Sequence, residues 1–540
     1  MIVKSKNSWW AFAFVLVGLA WIFGLFIDLT GDSGLYAAIT RQMVESGDWF
    51  NLKINGIPYD QKPHLFFWLA GIGVKLFGNT NFAFKLFPFL YGLTGVYFTY
   101  RLGKQIFSAE VGKLAALIAG TSQMYFLYFF DYHTDTVLQT GVVLALWQLA
   151  AYFQHKKPVN FLFGFVGVGL AMLTKGPIGA VIPFLAVLFY LVGKKDFRQL
   201  LHPRWLLGVL IVLVIISPSL IQLYLNFGIK GLKFYFITNN VGRITGEVAG
   251  SSTEFIFYIH TLLWAFLPWT IFVITAIYSE IKSWFQRGVE KPWGFYLLGS
   301  VLVLFLIFSI ARGKAPNYFL IMVSPLAVIS AKWTFVTATK PKSLKKMMDL
   351  QLVFTGLMAV AFLFILSFTG FANRWLAVGA SVIIAGLVLL FIRSRKLILQ
   401  TTLFISVLVI SGFNLFFNSM VYPRLYSFQG ARQALKIYEK ERSSNDLLVT
   451  LKLYEFQIFY WADSPVQDFT NWDEFYAFLK KDGAWVYTSE EGFDVVKQLT
   501  KEVREVYQIP QQGMNHLTLE FLNAKTRDNA LKNNYLIKVN

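Results

Sequence analysis

Residues 31–68 read GDSGLYAAITRQMVESGDWFNLKINGIPYDQKPHLFFW and follow an apolar segment at residues 10–27. The stretch is too polar to cross a bilayer and too short to form a domain of ordinary size. Its apolar residues at helical spacing are Leu35, Ala38, Ile39 and Met43. This spacing predicts a short amphipathic helix on the membrane surface, which begins at Asp32. An aspartate at a helix start is commonly an N-cap, and Asp32 could cap the helix and also have a functional role.

The second half of the stretch leads into the next apolar segment, residues 64–77. Asn55-Gly56 predicts a turn, and Lys62-Pro63 predicts the first turn of a helix, where proline is favoured. A lysine at a helix start is unfavourable for the helix dipole. The position of Lys62 is therefore best explained by an anion beside it, such as a lipid phosphate.

The composition indicates a polytopic α-helical membrane protein. Hydrophobic residues make up 56% of the 540 residues, charged residues only 15%, and the mean hydropathy is +0.53. About thirteen segments have the length and apolarity to cross a bilayer. They lie near residues 10–27, 82–103, 111–130, 136–153, 159–174, 177–193, 205–225, 255–277, 293–311, 316–332, 350–369, 375–392 and 398–418.

The net charge of +19 follows the expected topology. With the N-terminus inside, Lys and Arg collect in every second connection, as the positive-inside rule requires. This bias accounts for the charge, so a nucleic-acid partner is not expected. An odd number of spans places the C-terminus outside.

The composition changes near residue 425. Runs such as DLLVTLKLYEFQIFYW and GAWVYTSEEGFDVVKQL combine strand and helix patterns, and VREVYQI and HLTLEFL are predicted to be strands. We expect a membrane domain at residues 1–424 and a small exported α/β domain at residues 425–540.

The predicted external connections carry acids and bases. These residues are Asp32, Lys62, Asp131, Asp135, Lys175, Arg243, Arg312 and Lys314. Basic residues beside external helix ends run against the topological bias, which indicates a site for an anionic ligand. The alternative is that each one snorkels or pairs with lipid headgroups.

Several motifs in order resemble one family over roughly residues 10–335. The first is D-x-x-x-Y-A-x-I-x-R-x-M, S-G-D-W and N-G-x-P-Y-x-x-K-P, which matches Asp32, Tyr36, Ala37, Ile39, Arg41, Met43, Ser46–Trp49, Asn55, Gly56, Pro58, Tyr59, Lys62 and Pro63. HTDTVL, LAMLTKGPIG, FYFITNNVGRITG and ARGKAPNYFLIMVSPLAV follow. The chain thus resembles the polyprenyl-phosphate-sugar-dependent glycosyltransferases with the GT-C fold. This group, similar to glycosyltransferase family 39, includes lipid A aminoarabinose transferases and protein O-mannosyltransferases.

The resemblance implies a transfer reaction at the external membrane face. The donor is a sugar on a long polyprenyl (undecaprenyl) phosphate, and the acceptor is lipid A, another glycan or a protein. Asp32 is expected to be the general base of an inverting transfer, with Asp135 as a second catalytic residue. The residues expected to bind the donor phosphate are Lys62, Arg243, Tyr318, Lys175 and Lys314. The resemblance also implies a bacterial inner membrane, with the site and the C-terminal domain in the periplasm.

The chain departs from aminoarabinose transferases at three positions. Ser33 stands where they usually carry an acid, Leu35 where they carry Arg, and Gln61 where they carry Glu. These departures leave the sugar open. No cofactor is required, but a divalent metal is compatible with a site formed by Asp131 and His133 with His64 or His260.

Two other functions compete with glycosyl transfer. A transporter or flippase for an anionic lipid-linked substrate would carry charges near the middle of its spans and often an internal repeat, and neither is evident here. A surface-assembly protein would leave the acid and lysine cluster unexplained. For the connection at residues 226–254 we expect a surface helix over 230–241 and a flexible loop over 242–253.

Overall fold

The computed structural model describes residues 7–247, 252–287, 292–371, the positions 375, 378, 379 and 386, and residues 398–539 apart from 452, 454, 464–465, 470–471, 481–482, 501–502 and 514–516. Most of these residues are helical. The helices before the C-terminal sheet are α1 (Asn7–Gly24), α2 (Asp32–Ser46), α3 (Leu65–Phe77), α4 (Asn81–Ile106), α5 (Ala109–Gly120), α6 (Gln123–Tyr128), α7 (Thr134–His155), α8 (Pro158–Lys175), α9 (Ile178–Lys194), α10 (Arg204–Lys233), α11 (Asn239–Thr245), α12 (Phe257–Ala265), α13 (Thr270–Arg287), α14 (Ser300–Ile310), α15 (Leu320–Ala338), α16 (Pro341–Thr369), α17 (Ile398–Phe416), α18 (Tyr422–Tyr426) and α19 (Gly430–Glu441).

Several of these helices are long and apolar enough to cross a membrane, so the chain is a multi-pass membrane protein. Among the described residues, six helical segments qualify by length and hydropathy: Thr134–His155, Pro158–Lys175, Arg204–Thr245, Pro316–Ala338, Pro341–Thr369 and Ile398–Tyr426. Shorter apolar helices add Trp10–Gly24, Leu65–Phe77, Ile178–Lys194 and Phe295–Ile310. The count of thirteen spans stays a prediction, and most of the predicted span 375–392 lies outside the described residues.

Two predicted spans are broken, and the breaks meet. The segment 111–130 divides at Thr121 and Ser122 into α5 and α6, and the segment 255–277 divides between α12 and α13. The backbone N–H of Gln123 donates to the carbonyl of Leu267 over 2.8 Å, and the indole of Trp269 donates to the Thr121 hydroxyl over 2.9 Å. Each break therefore supplies partners for polar groups that the other leaves exposed inside the bundle.

The first connection has most of the predicted local structure. The expected helix turn at Lys62-Pro63 is wrong, because α3 begins at Leu65 and both residues precede it. The amphipathic helix is α2, but its N-cap is Gly31 with φ 52°, and Asp32 makes no capping hydrogen bond. The N-cap interpretation of Asp32 is therefore wrong, and its carboxylate is free for other contacts. The turn at Asn55-Gly56 joins the short strands β1 (Lys53–Ile54) and β2 (Ile57–Pro58).

The segment 226–254 is more helical than expected. Gly228, with φ 60°, kinks the chain, after which α10 continues through a π-helical turn (Phe234–Thr238) into α11. The predicted surface helix over 230–241 is present. The start of the expected flexible loop, residues 242–245, is helical instead, and residues 248–251 lie outside the described part of the chain.

A mixed five-stranded sheet forms the C-terminal part. Its strands are β3 (Leu447–Leu451), β4 (Val466–Phe469), β5 (Ala484–Ser489), β6 (Val503–Gln511) and β7 (Lys532–Val539), in the order β4-β3-β5-β7-β6. β3 pairs in parallel with β4 and β5, whereas β7 pairs antiparallel with β5 and β6. The helices among them are α20 (Gln457–Trp461), α21 (Trp472–Leu479), α22 (Glu490–Leu499), α23 (Leu519–Leu522) and α24 (Arg527–Ala530).

One predicted strand of this region is wrong. HLTLEFL was expected to be extended, but Leu519–Leu522 is a helical turn. The Thr518 hydroxyl accepts a hydrogen bond from the Phe521 backbone over 3.2 Å, so this threonine caps the turn. Capping thus overrides the alternating pattern. The predicted strand VREVYQI is confirmed as part of β6.

The C-terminal sheet region contacts α2 through α20. The Arg41 guanidinium donates to the backbone carbonyls of Tyr460 (3.1 Å) and Ala462 (2.5 Å). A Cβ placed on Gly34 would lie 2.9 Å from the backbone nitrogen of Gln457, so the helices approach closely only because residue 34 is glycine. The C-terminal region therefore rests directly on the helix that begins at Asp32.

Candidate active site

Residues from each of the predicted external connections that carry acids and bases contribute to one cavity of about 310 Å³. Its polar wall contains the side chains of Lys62, Asp135, Lys175, Arg243 and Tyr318. The rest is largely apolar and includes Leu138, Ile178, Val181, Leu304, Ile307, Phe308 and Ile321. The cavity thus joins a cationic end to an apolar end. Such a shape suits an amphiphile with an anionic head.

Asp135 lies at the first turn of α7 and is fully buried. Both of its carboxylate oxygens accept from the Lys175 Nζ over 2.7 Å, and Asn317 donates to one of them, also over 2.7 Å. Lys175 comes from the last turn of α8, where a cation also complements the helix dipole. These contacts satisfy the Asp135 carboxylate and hold it in place.

His133 lies between Asp135 and Asp32. Its Nδ1 is 3.0 Å from Asp135, and its Nε2 is 3.8 Å from an Asp32 carboxylate oxygen. Burial lowers the pKa of His133, but the hydrogen bond to Asp135 and the nearness of Asp32 outweigh burial and raise it to about 9. His133 is therefore a cation at neutral pH.

Asp32 differs from Asp135 in its exposure. Its side chain is 69% exposed, whereas that of Asp135 is 1% exposed. The adjacent His133 ring, with further help from Lys62 and Lys175, holds the pKa of Asp32 below its usual value despite partial burial. Asp32 is thus an ionised carboxylate that a molecule arriving from outside the bundle can reach.

Lys62 lies buried in the cavity wall, immediately before α3. Burial lowers the pKa of its ammonium group to about 7, and the positive charges of Lys175 and Arg243 act in the same direction. Among the described residues, the Lys62 Nζ donates one hydrogen bond, to the carbonyl of Gln61 over a long distance of 3.4 Å. A buried lysine without a carboxylate partner is costly, and an anion in the cavity would remove that cost.

Arg243 and Tyr318 form the opposite wall. The Arg243 guanidinium donates to the Tyr318 hydroxyl and lies 5.5 Å from the centre of its ring. The Lys175 Nζ lies 4.5 Å from the centre of the same ring. The backbone of Arg243 is fixed as well, because its carbonyl accepts from the N–H of Gly313 over 2.8 Å. Tyr318 thus spaces two cations that face the cavity.

Lys314 does not line the cavity. Its buried Nζ donates to the carbonyls of Thr253 and Ala311, and its backbone pairs with Ser252. It ties the segment at 252–253 to the start of α15. These contacts indicate a structural role for Lys314. Binding of the donor by Lys314 stays a prediction. Asp131 is also outside the lining and accepts a hydrogen bond from the Ser33 hydroxyl over 2.7 Å.

The suggested metal ligands do not form a set. In the described part of the chain, no group of three or more His, Asp or Glu side chains could hold a metal ion. His64 contacts the Ser219 hydroxyl (2.6 Å) and the Phe50 carbonyl (2.7 Å), and His260 is exposed on α12. Lys175 and His133 contact the carboxylate oxygens of Asp135 where a metal ion would bind. The donor set therefore does not fit a divalent ion.

The sequence interpretation missed two residues that organise the site, His133 and Asn317, and one buried lysine outside the cavity, Lys85. The sequence pattern indicates His133 only as a metal ligand. Asn317 precedes Tyr318 within the KAPNY motif, yet the resemblance implies roles only for Lys314 and Tyr318. Lys85 is a lone lysine in apolar α4, and its buried Nζ donates to the carbonyls of Gly24 (3.2 Å) and Ile27 (2.6 Å). A lysine inside an apolar helix is a signal that could have identified it.

The chain is similar to known glycosyltransferases. The family model described as dolichyl-phosphate-mannose-protein mannosyltransferase matches residues 61–222. The undecaprenyl phosphate-alpha-4-amino-4-deoxy-L-arabinose arabinosyl transferase 2 of Proteus mirabilis (strain HI4320) is 29% identical over 58% of this chain and 56% of its own length. Transferase 1 of the same description from Sodalis glossinidius (strain morsitans) is 31% identical over the same shares. The chain thus spans little more than half the length of these relatives.

A solved structure extends the similarity to the whole fold. The crystal structure of ArnT from Cupriavidus metallidurans bound to undecaprenyl phosphate matches with a TM-score of 0.75 and 20% identity, over 99% of this chain and 98% of that chain. Fold and cavity define a membrane protein of the GT-C class. These comparisons agree with the resemblance, predicted from the sequence motifs, to the GT-C family of polyprenyl-phosphate-sugar glycosyltransferases.

Proposed function

We propose that the chain is an integral-membrane glycosyltransferase. It moves a sugar from undecaprenyl phosphate, or a similar polyprenyl phosphate, to a hydroxyl of lipid A, a glycan or a protein. The observation that carries this proposal is the cavity that joins Lys62, Lys175 and Arg243 to an apolar wall beside an exposed carboxylate. The names of the relatives and of the ArnT complex support the same donor.

The donor phosphate lies at the cationic end of the cavity. Lys62 and Arg243 reach it directly, since neither has a carboxylate partner among the described residues, while Lys175 is committed to Asp135. Tyr318 keeps Arg243 in position. The prenyl chain leaves along the apolar wall that α9, α14 and α15 form. Each part of an amphiphilic donor thus meets groups of matching polarity.

Asp32 is the general base and Asp135 is not. A base must reach the acceptor hydroxyl and must have lone pairs free to take its proton. The exposed Asp32 meets both needs, whereas Lys175, Asn317 and His133 occupy the oxygens of buried Asp135. Asp135 acts as a positioning residue through His133.

The transfer is a single displacement. The acceptor oxygen attacks the anomeric carbon on the face opposite the phosphate, while its proton passes to Asp32. The bond between the anomeric carbon and the phosphate oxygen breaks, and the phosphate keeps the electron pair. Lys62 and Arg243 stabilise the charge that develops on the leaving phosphate. One displacement inverts the anomeric centre.

The reaction takes place at the periplasmic face of a bacterial inner membrane. The positive-inside distribution of Lys and Arg supports an external position for the connections that carry Asp32, Lys62 and Arg243. Residues 425–540 form a separate periplasmic domain on the same face. Its contact with α2 gives it a route to influence acceptor choice.

Mass spectrometry of glycolipids and glycoproteins tests this function. Cells that carry the wild type, Asp32→Asn or no protein are compared, with Glu45→Gln as the control, because Glu45 is an exposed carboxylate on the same helix. We expect one sugar modification to be lost equally in Asp32→Asn and in the deletion, and kept in Glu45→Gln. If cells with Asp32→Asn keep the modification, the assignment of Asp32 as the general base is contradicted. If the deletion changes no modification, transfer itself is contradicted.

A further inference from the structure

We propose that the end of the bundle opposite the donor cavity binds one anionic phospholipid, whose phosphate contacts Lys156 and Arg204. This inference goes beyond the proposed function and does not depend on it. The residues that form the site, called here the Arg204 site, are Tyr152, Lys156, Gln199, Arg204 and Trp205. They come from the end of α7, the start of α10 and the connection that leads into α10.

The Arg204 site lies at the far end of α7 from the donor cavity. Asp135, in the first turn of α7, lines that cavity, whereas Lys156 follows the last residue of the same helix. A helix of 22 residues is about 33 Å long, close to the thickness of the hydrocarbon core of a bilayer. Arg204, the first residue of α10, contacts this end of α7 through Tyr152. A lipid at the Arg204 site therefore comes from the leaflet opposite the donor cavity.

Two cations of the site lie over one aromatic ring. The guanidinium carbon of Arg204 is 5.6 Å from the centre of the Tyr152 ring and 5.3 Å from that of Trp205. The Lys156 Nζ is 5.6 Å from the centre of the same Tyr152 ring. Partial burial lowers the pKa of Lys156, and the positive charge of Arg204 lowers it further. An anion that contacts both residues would relieve this repulsion.

The Arg204 guanidinium is held in place but keeps donors to spare. It donates to the Tyr152 hydroxyl over 3.1 Å and to the Gln199 side-chain oxygen over 2.8 Å. The Trp205 indole donates to the Gln199 carbonyl over 2.6 Å, which fixes Gln199 as well. The Arg204 Nε is buried and has no hydrogen-bond partner in the described part of the chain. A guanidinium has five N–H donors, so a phosphate can accept from those that the protein leaves unused.

Acids of the protein do not balance the cations on this face. The two connections there, residues 156–157 and 194–204, contain one carboxylate, Asp196, which accepts a hydrogen bond from Gln199. Their cations are Lys156, Lys157, Lys194, Lys195, Arg198 and Arg204. Among the residues that the structure describes, none of these cations forms an ion pair. A negative charge from outside the chain is therefore favourable here.

The position of Arg204 needs more than the topological bias. The positive-inside rule explains why cations collect on this face, but it does not explain why one of them packs between the rings of Tyr152 and Trp205. Arg204 is also the first residue of a helix, where a cation is unfavourable for the helix dipole. A phosphate beside Arg204 accounts for both features.

Exposed apolar side chains next to these cations favour a lipid over a free phosphate. They lie on the 3-10 turn before α10 and on the first turns of α10 itself. These residues are Phe197, Leu201, Leu206, Leu207 and Leu210. Basic and exposed apolar residues on one surface segment are typical of an element that lies in the headgroup layer. A phospholipid thus binds with its phosphate at Arg204 and its acyl chains along α10.

Binding of tail-labelled fluorescent phospholipids to the purified full chain in nonionic micelles tests the inference. The probes are dioleoylphosphatidylglycerol, which is anionic, and dioleoylphosphatidylcholine, which has the same chains and no net charge. Excess undecaprenyl phosphate is present throughout to occupy the donor cavity. We expect phosphatidylglycerol to bind at least about tenfold tighter, as expected for two cations beside one anionic headgroup. Equal affinities overturn the inference. If inorganic phosphate displaces the probe as well as unlabelled phosphatidylglycerol does, the lipid is excluded as the ligand.

Two variants test the position of the site. Lys156→Gln and Arg204→Gln should each lower the affinity for phosphatidylglycerol about fivefold and leave that for phosphatidylcholine unchanged. Lys282→Gln is the matched control and should bind as the wild type does, because Lys282 also lies over a tyrosine ring, 5.7 Å from the centre of Tyr278, but on α13. Lys156 is exposed, so Lys156→Gln tests the site even if Arg204→Gln does not fold. Wild-type affinity for phosphatidylglycerol in Lys156→Gln overturns the inference.

Discussion

The Lys175 Nζ lies 2.7 Å from both carboxylate oxygens of Asp135, and both side chains are almost wholly buried. The two residues are forty positions apart in the chain and join the start of α7 to the end of α8. Tyr318 and Asn317, from the segment before α15, contact the pair as well. This ion pair therefore fixes the elements that form the cavity wall.

Removing one member of this pair should destabilise the protein strongly. Lys175→Met or Asp135→Asn leaves a buried charge without its partner, which costs about 3–5 kcal/mol in the free energy of unfolding. The double variant leaves neither charge and should recover most of that loss. Unfolding in mixed micelles measures both effects. Lys113→Met, which removes an exposed pair with Glu110, is the control and should change stability by less than about 1 kcal/mol. A double variant as unstable as the single variants contradicts this prediction.

Binding of undecaprenyl phosphate should weaken as the pH rises above neutrality. The pKa of Lys62 is about 7 in the free protein, and its charged form attracts the phosphate. The charged fraction falls as the pH exceeds this pKa, so the affinity should fall about fivefold between pH 7 and 8. His133, with a pKa of about 9, stays mostly charged over this range.

Lys62→Arg separates this effect from other titrations, because the guanidinium keeps its charge at every pH in the range. The affinity of this variant for undecaprenyl phosphate should be nearly independent of pH between 7 and 8. The same pH dependence in both proteins would show that a different group titrates.

His133→Gln should slow transfer without weakening donor binding. The substitution removes the positive charge between Asp32 and Asp135. Because this charge lowers the pKa of Asp32, its loss should raise that pKa, and the acid limb of the pH profile of kcat should move to higher pH. We expect kcat to fall on the order of tenfold to a hundredfold, as for a misplaced catalytic group. An acid limb that stays in place would exclude this role for His133.

The sequence predicts the elements of the site better than their pairing. α2, the turn at Asn55-Gly56 and the cationic external segments follow from local patterns. The ion-pair partner of Asp135 does not follow from local patterns. Several external cations could form this pair, and which one does depends on how α7 packs on α8. For the same reason, the different exposures of Asp32 and Asp135, which separate a base from a positioning residue, could not be derived from spacing.

Span prediction did not detect where small polar residues break a helix. Hydropathy averaged over a window does not register Thr121-Ser122, although these residues end α5 and start α6. The Ser122 hydroxyl caps α6 locally, but the break also needs tertiary contacts with the segment around Leu267. Such contacts are absent from any local pattern.

Arg41 provides the last prediction, because it links α2 to α20. Its guanidinium holds the carbonyls of Tyr460 and Ala462, so Arg41→Ala leaves both carbonyls without this charged donor. Lost hydrogen bonds to a charged group cost about 1.5–3 kcal/mol each. We expect faster hydrogen exchange at residues 457–462 and a lower kcat, because α2 carries Asp32. Affinity for undecaprenyl phosphate should not change, since Arg41 does not line the cavity. Glu45→Gln removes only the exposed ion pair of Arg41 and should leave exchange and kcat as in the wild type. Faster exchange in Arg41→Ala with an unchanged kcat would show that the C-terminal region rests on α2 without influencing the reaction.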